Sequence, residues 1–126
     1  MRKLLFIGLI WVLCTSFYRK YPAEVTSVYD GDTITVAIDL GFDIVKTEKI
    51  RLHGINAPEV RGSERYEGLK SRDALRQKIL HKSIELETFK GDKKGKYGRT
   101  LGIIWLDDEN INNWLVQNDY AEARQY

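Results

Sequence analysis

The chain has 126 residues, 43% of them hydrophobic and 11% aromatic, which fits one globular domain around one core and excludes a disordered chain or a second domain. The net charge is +2, and Arg2 and Lys3 supply both units, so residues 17–126 are neutral overall; any attraction to nucleic acid must come from local clusters of Lys and Arg. The single cysteine, Cys14, excludes an internal disulfide, and no Cys/His spacing matches a zinc site.

Met1-Arg2-Lys3 is a short basic head. It is followed by an apolar run from Leu4 to Leu13 and by the small residues Cys14-Thr15-Ser16. This pattern predicts a secretory signal over residues 1–16, and hence a secreted or extracytoplasmic protein. The apolar run falls short of the roughly 20 residues that a membrane span requires. The competing expectation is an uncleaved segment that anchors the chain to a membrane or packs on the domain.

From Ala23 the pattern turns to strands. Val25, then Ser27-Val28-Tyr29, then Thr33 to Ile38 alternate and are rich in β-branched residues, with Asp30-Gly31 as a turn between two runs. Leu40-Gly41-Phe42-Asp43 reads as the next connection, and Ile44 to Ile55 as a third strand. Glu59 to Arg65 is a polar loop. Tyr66 to Leu80 then reads as a helix with Ser71, Leu75 and Ile79 on one face and Ser63 as a plausible N-cap. Ser83 to Phe89 and Arg99 to Leu106 are the fourth and fifth strands. Between them, Lys90 to Gly98 holds three glycines and four lysines, as in an exposed hairpin loop. A second helix is expected from near Asp108, with Ile111, Trp114 and Leu115 facing inward and Asn118 as a left-handed terminator. Five strands with one helix between the third and fourth and another after the fifth give an α+β fold, an OB-type five-stranded β-barrel.

The densest chemistry lies in Ile50 to Glu59, read as IRLHGINAPE. Alternation projects Arg51 from its strand on the face opposite Ile50 and Leu52. Gly54 relaxes the chain and Pro58 biases Ala57 toward extended backbone, so Asn56 to Glu59 should form a rigid turn at the strand end. Read singly, these residues are ordinary: Arg51 a solvated strand charge, Glu59 a surface acid, Asp30-Gly31 a hairpin turn. His53 and His81 have no partner at metal-ligand spacing.

Three blocks in order change that reading. Asp30-Gly31-Asp32-Thr33, then Arg51-Leu52-His53-Gly54-Ile55-Asn56-Ala57-Pro58-Glu59, then Lys96-Tyr97-Gly98-Arg99 together resemble the staphylococcal nuclease (thermonuclease) family. The resemblance covers roughly residues 21–126 and implies a thermonuclease-like domain over residues 17–126. It implies a calcium-dependent phosphodiesterase that hydrolyses DNA and RNA, prefers single strands, reads no sequence and leaves 3′-phosphates; nothing in the sequence suggests more than a monomer.

By the same resemblance Asp32 and Asn56 are side-chain calcium ligands, Ala57 gives its carbonyl, and Asp30 lies in the outer shell. Oxygen donors suit calcium. Arg51 and Arg99 match the family's two arginines, whose planar forks suit phosphate, and Glu59 matches its general base. Lys96 and Tyr97 match residues that hold a terminal phosphate.

The chain departs from the family pattern at Asn56, where aspartate is usual, and at Ala57, where threonine is usual. With one carboxylate in place of two, calcium binding should weaken. The alternative expectation is a barrel that binds nucleic acid or protein without cleaving.

Overall fold

The structure is a computed structural model that describes residues 18–89 and 98–125. The signal segment expected over residues 1–16, most of the lysine-rich loop, and the expected phosphate contacts Lys96 and Tyr97 lie outside the described residues. Among those described, no helix is long and apolar enough to cross a membrane.

The main strands are β1 (Tyr18–Asp30), β2 (Thr33–Asp39), β3 (Val45–Leu52), β5 (Ser83–Phe89) and β6 (Thr100–Leu106). β1 to β2, β2 to β3, β1 to β5 and β5 to β6 pair antiparallel. A short parallel ladder, Ile50 to Leu52 against Thr100 to Gly102, joins β3 to β6 and closes the ring. This is the expected five-stranded barrel, with one parallel pairing among antiparallel ones, and closure removes the free edges at this end. The third strand ends earlier than expected, at Leu52, a two-residue strand β4 (Ile55–Asn56) follows the turn at His53-Gly54, and another, β7 (Glu109–Asn110), pairs with the end of β6.

The core follows from the alternation. Val25, Val28, Ile34, Val36, Ile50, Leu52, Leu86 and Ile104 fill the barrel, and Leu75, Ile79, Ile111 and Leu115 close it from the helices. Each fully buried aliphatic side chain contributes about 1.5–3 kcal/mol, so this cluster dominates stability. Helix α1 (Arg65–Ile79) buries Gly68, Ser71, Leu75 and Ile79, the predicted face with Gly68 added. Ser63 is not its cap: Gly62–Glu64 form a 3-10 turn, and Glu64 takes the N-cap position.

Helix α2 (Ile111–Gln117) is shorter than expected and is capped by Asn110, whose side chain accepts from the Asn113 N–H. Asn118 does not terminate it in the left-handed region, since its φ is −103°; Asp119 takes that conformation at 62°. The buried amide of Asn112 locks α2 to the barrel. It donates to the carbonyls of His53 (2.9 Å) and Gly102 (3.1 Å) and accepts from the Ile104 N–H (3.2 Å).

Candidate active site

Two of the three sequence blocks meet at one rim of the barrel, together with Arg99 from the third. The turn between β1 and β2 carries Asp30 and Asp32. A register shift between Val28 and Asp30 leaves Tyr29 as an extra residue just before it, the sort of bulge that re-aims a strand beside a site. Arg76 of α1 donates to the Val28 carbonyl at 3.1 and 3.2 Å and steadies that kink. Within the turn the Asp32 N–H donates to Asp30 Oδ1 at 3.0 Å. The Leu52 N–H donates to the Asp32 carbonyl at 2.8 Å, which ties the turn to the end of β3.

Asp32 is the centre of the cluster. Its Oδ2 accepts from the Ala57 N–H at 2.8 Å and lies 3.3 Å from Arg51 Nη2. Its Oδ1 accepts from the Thr33 hydroxyl at 3.1 Å, and Thr33 Oγ1 in turn accepts from Arg99 Nη1 at 3.0 Å. Arg51 is only 8% exposed, so it is not the solvated charge that its strand position alone would give. Its Nη1 donates to the Leu52 carbonyl at 2.7 Å, and its Nη2 also approaches Asn56 Oδ1 at 3.4 Å.

Asp30 and Asp32 are both buried, at 5% and 6% exposure. Burial, and after it the charge of Asp32, push the Asp30 carboxyl up to about 7; Glu59 adds a smaller push in the same direction. A buried place where one carboxylate resists ionising is one that a bound cation would relieve. The available donors fit a hard divalent ion: the Asp32 carboxylate, the Asn56 amide oxygen and the Ala57 carbonyl are all oxygens. Only one of these three donors is a carboxylate. Among the described residues, no three His, Cys, Asp or Glu side chains are grouped as a metal site.

The turn that carries Ala57 and Glu59 is braced on three sides. β4 pairs with β8 (Glu122–Ala123), Ile55 against Ala123 and Asn56 against Glu122. Ser71 of α1 donates to the Tyr120 carbonyl at 2.7 Å and holds that segment down. Gly31 fits between Ala57 and Ser71, where a Cβ would lie 2.7 and 3.0 Å from their Cβ atoms. Beside the turn, Asn56, Ala57, Pro58, Glu64 and Tyr120 line a cavity of about 300 Å³.

Asp30, Asp32, Arg51, Asn56, Ala57 and Arg99 are therefore joined by direct contacts, Arg99 through Thr33. Glu59 is exposed two residues beyond Ala57 and acts electrostatically on Asp30. Sequence reasoning missed Thr33, Glu64, Gly68 and the β8 brace. Thr33 stood in the first motif without a role, and a glycine inside a helical pattern was a signal of close packing for Gly68. A two-residue strand has no periodicity to read.

A closed barrel with two buried aspartates and two arginines on one rim defines an OB-type protein with a polar, charged site. The profile described as Staphylococcal nuclease homologue matches residues 49–126. The chain is 34% identical over 105 residues to the thermonuclease of Staphylococcus intermedius, covering 81% of this chain and 59% of that protein. It is 32% identical over 106 residues to the thermonuclease of Staphylococcus hyicus, with 82% and 59% covered. It is also 33% identical over 129 residues to an uncharacterized endonuclease of Haemophilus influenzae, covering 99% of this chain and 67% of that protein. The chain belongs to the staphylococcal nuclease family. It spans less than two thirds of the length of the two thermonucleases.

Proposed function

We propose that the chain is a metal-dependent nuclease that hydrolyses phosphodiester bonds in DNA and RNA without reading sequence. The observation that carries this is the contact chain from Asp32 through Arg51 to Asn56 and through Thr33 to Arg99. Two guanidinium groups beside a buried carboxylate form a cradle for a phosphate whose charge grows during attack.

Arg51 and Arg99 bind the non-bridging oxygens. Arg51 is oriented by the Leu52 carbonyl; Arg99 is oriented by Thr33. Glu59 takes the proton of the attacking water as the new oxygen–phosphorus bond forms. The bond to the 5′-oxygen breaks, that oxygen takes up a proton, and a 3′-phosphate remains. Asp32, Asn56 and the Ala57 carbonyl would hold the divalent ion, calcium by the family's example, which neutralises charge on the phosphate oxygens when bound. Lys96 and Tyr97 are assigned to the terminal phosphate, single strands are the preferred substrate, and the working unit is a monomer. Residues 1–16 direct the protein out of the cytoplasm.

The test is hydrolysis of single-stranded DNA across a calcium series and with chelator, alongside Arg51→Ala and Glu59→Ala. Metal-dependent cleavage that collapses in both variants is the expected result. One observation favours a second reading, a barrel that binds without cleaving: the amide of Asn56 stands where the family has a second carboxylate. Absence of cleavage at millimolar calcium, restored by Asn56→Asp, would select that reading.

A further inference from the structure

Glu59 follows Pro58 at the end of the braced turn, and two features fix its main chain independently of the barrel strands. The first is Glu64, whose Oε2 accepts the Glu59 N–H at 2.9 Å. Glu64 is the N-cap of α1, yet its side chain makes no cap bond to its own helix. An N-cap acid ordinarily accepts from its own first turn; this one serves the peptide of Glu59. The second is Gly68, buried on the inner face of α1. A Cβ built there would overlap the Glu59 carbonyl and lie 2.8 Å from the Val60 nitrogen. The helix backbone thus packs directly on the Glu59–Val60 peptide, an approach that only glycine permits. One residue therefore has its N–H held by a carboxylate and its carbonyl seated against a helix.

We propose that Glu64 and Gly68 are positioning residues for Glu59, fixing its main chain so that its carboxylate starts from a single rigid point over the site. The inference rests on the reading of Glu59 as the group that takes the water proton. Both contacts fall on the main chain at Glu59 and Val60, the Glu64 bond on the Glu59 N–H and the Gly68 packing on the Glu59–Val60 peptide. A carboxylate tethered at both sides of its peptide reaches the reacting water without a search over loop conformations, and such placement acts on turnover more than on substrate binding.

The test uses the full chain with Glu64→Ala, Glu64→Gln and Gly68→Ala, and reads amide exchange at Glu59 by NMR together with kcat and KM on single-stranded DNA. In Glu64→Ala the Glu59 amide should exchange about tenfold faster, and kcat should fall about tenfold with KM within about twofold. Glu64→Gln keeps an oxygen that accepts the same N–H and should restore both to near the parent values. Gly68→Ala should lower kcat in the same way. Glu64 is exposed and outside the core, so the Glu64 pair decides the matter even where Gly68→Ala lowers stability. Unchanged Glu59 exchange in Glu64→Ala, or equal losses in Glu64→Ala and Glu64→Gln, would overturn the proposal. A parent chain that cleaves nothing, or Glu59→Ala that cleaves like the parent, would instead sink the nuclease reading, and the exchange arm would still decide whether Glu64 holds Glu59.

Discussion

Strand β2 joins two turns that treat burial in opposite ways. At its start, Asp30, Asp32 and Thr33 are all at least 93% buried, and Asp32 meets a buried Arg51. At its other end, seven residues along and about 20 Å away, the hairpin tip exposes Leu40, Phe42 and Ile44, with Phe42 fully exposed. The backbone there is left-handed at three successive residues, Gly41, Phe42 and Asp43. Folding alone favours the reverse, apolar groups inside and charges outside. The two inversions differ in energy. Buried carboxylates and guanidinium groups lose several kcal/mol of hydration each unless paired with good geometry, whereas an exposed Phe forgoes only its own burial. The rim is thus the place where the fold gives up stability to bury charge, and the tip is a local irregularity of modest energy.

The largest effect should come from breaking the rim's guanidinium geometry. Arg51→Lys keeps the charge beside Asp32 but loses the planar fork, since one ammonium cannot serve the Leu52 carbonyl, Asp32 and a phosphate together. Cleavage should fall about 10²–10³-fold with the fold retained by circular dichroism. Loss of less than about threefold would mean that Arg51 supplies charge only.

Next comes the buried pair of acids. Burial, and after it the Asp32 charge, push the folded Asp30 carboxyl from an ordinary 3.8 up to about 7. The fold holds its proton more tightly than the unfolded chain does, so this group's contribution to stability is complete below about pH 4 and is lost as pH rises to about 7. Asp30→Asn cannot ionise and should gain on the parent over that window, by a difference on the order of 3 kcal/mol between pH 4 and pH 8 in chelator. Parallel stability curves for the two proteins across this range would refute the shift.

The same contrast explains what the sequence could reveal. The barrel strands and both helices were readable because their apolar positions repeat with fixed periods, and Val25, Ile34, Ile50, Leu75 and Leu115 all landed in the core. The rim was readable in its residues through three motifs, but not in its contacts. Nothing local says that the Ala57 N–H reaches across 25 positions to Asp32, or that Thr33 joins Asp32 to Arg99. Cap details failed for a similar reason. Ser63 is an intrinsically better cap than Glu64, but the tight 3-10 turn places Glu64 at the helix start. The connection at Leu40–Asp43 was foreseen as a loop, while its left-handed backbone at Phe42 was not, because only glycine announces such angles.

A smaller effect is expected at Asn56, where the comparison is sharpened by adding charge to the rim. Asn56→Asp places a second carboxylate beside Arg51 Nη2, now 3.4 Å from the amide oxygen, and gives a cation two charged donors. The metal concentration at half-maximal cleavage should fall about tenfold. Equal midpoints for both proteins would mean that Asn56 does not reach the ion.

The smallest effect belongs to the opposite end. Phe42 holds φ at 53° with its side chain fully exposed, and for an L-residue other than Asn, Asp or Gly that conformation costs about 1–2 kcal/mol. Phe42→Asn adopts the same angle more readily and removes no burial, so denaturant unfolding should show a gain of about 0.5–1 kcal/mol, with cleavage unchanged. The sign carries the information. A loss of stability would show that the ring has contacts in solution that outweigh its backbone strain, and a change in cleavage would show that the tip takes part in holding substrate. Either result would end the separation between a chemical rim and an inert tip on which the contrast along β2 depends.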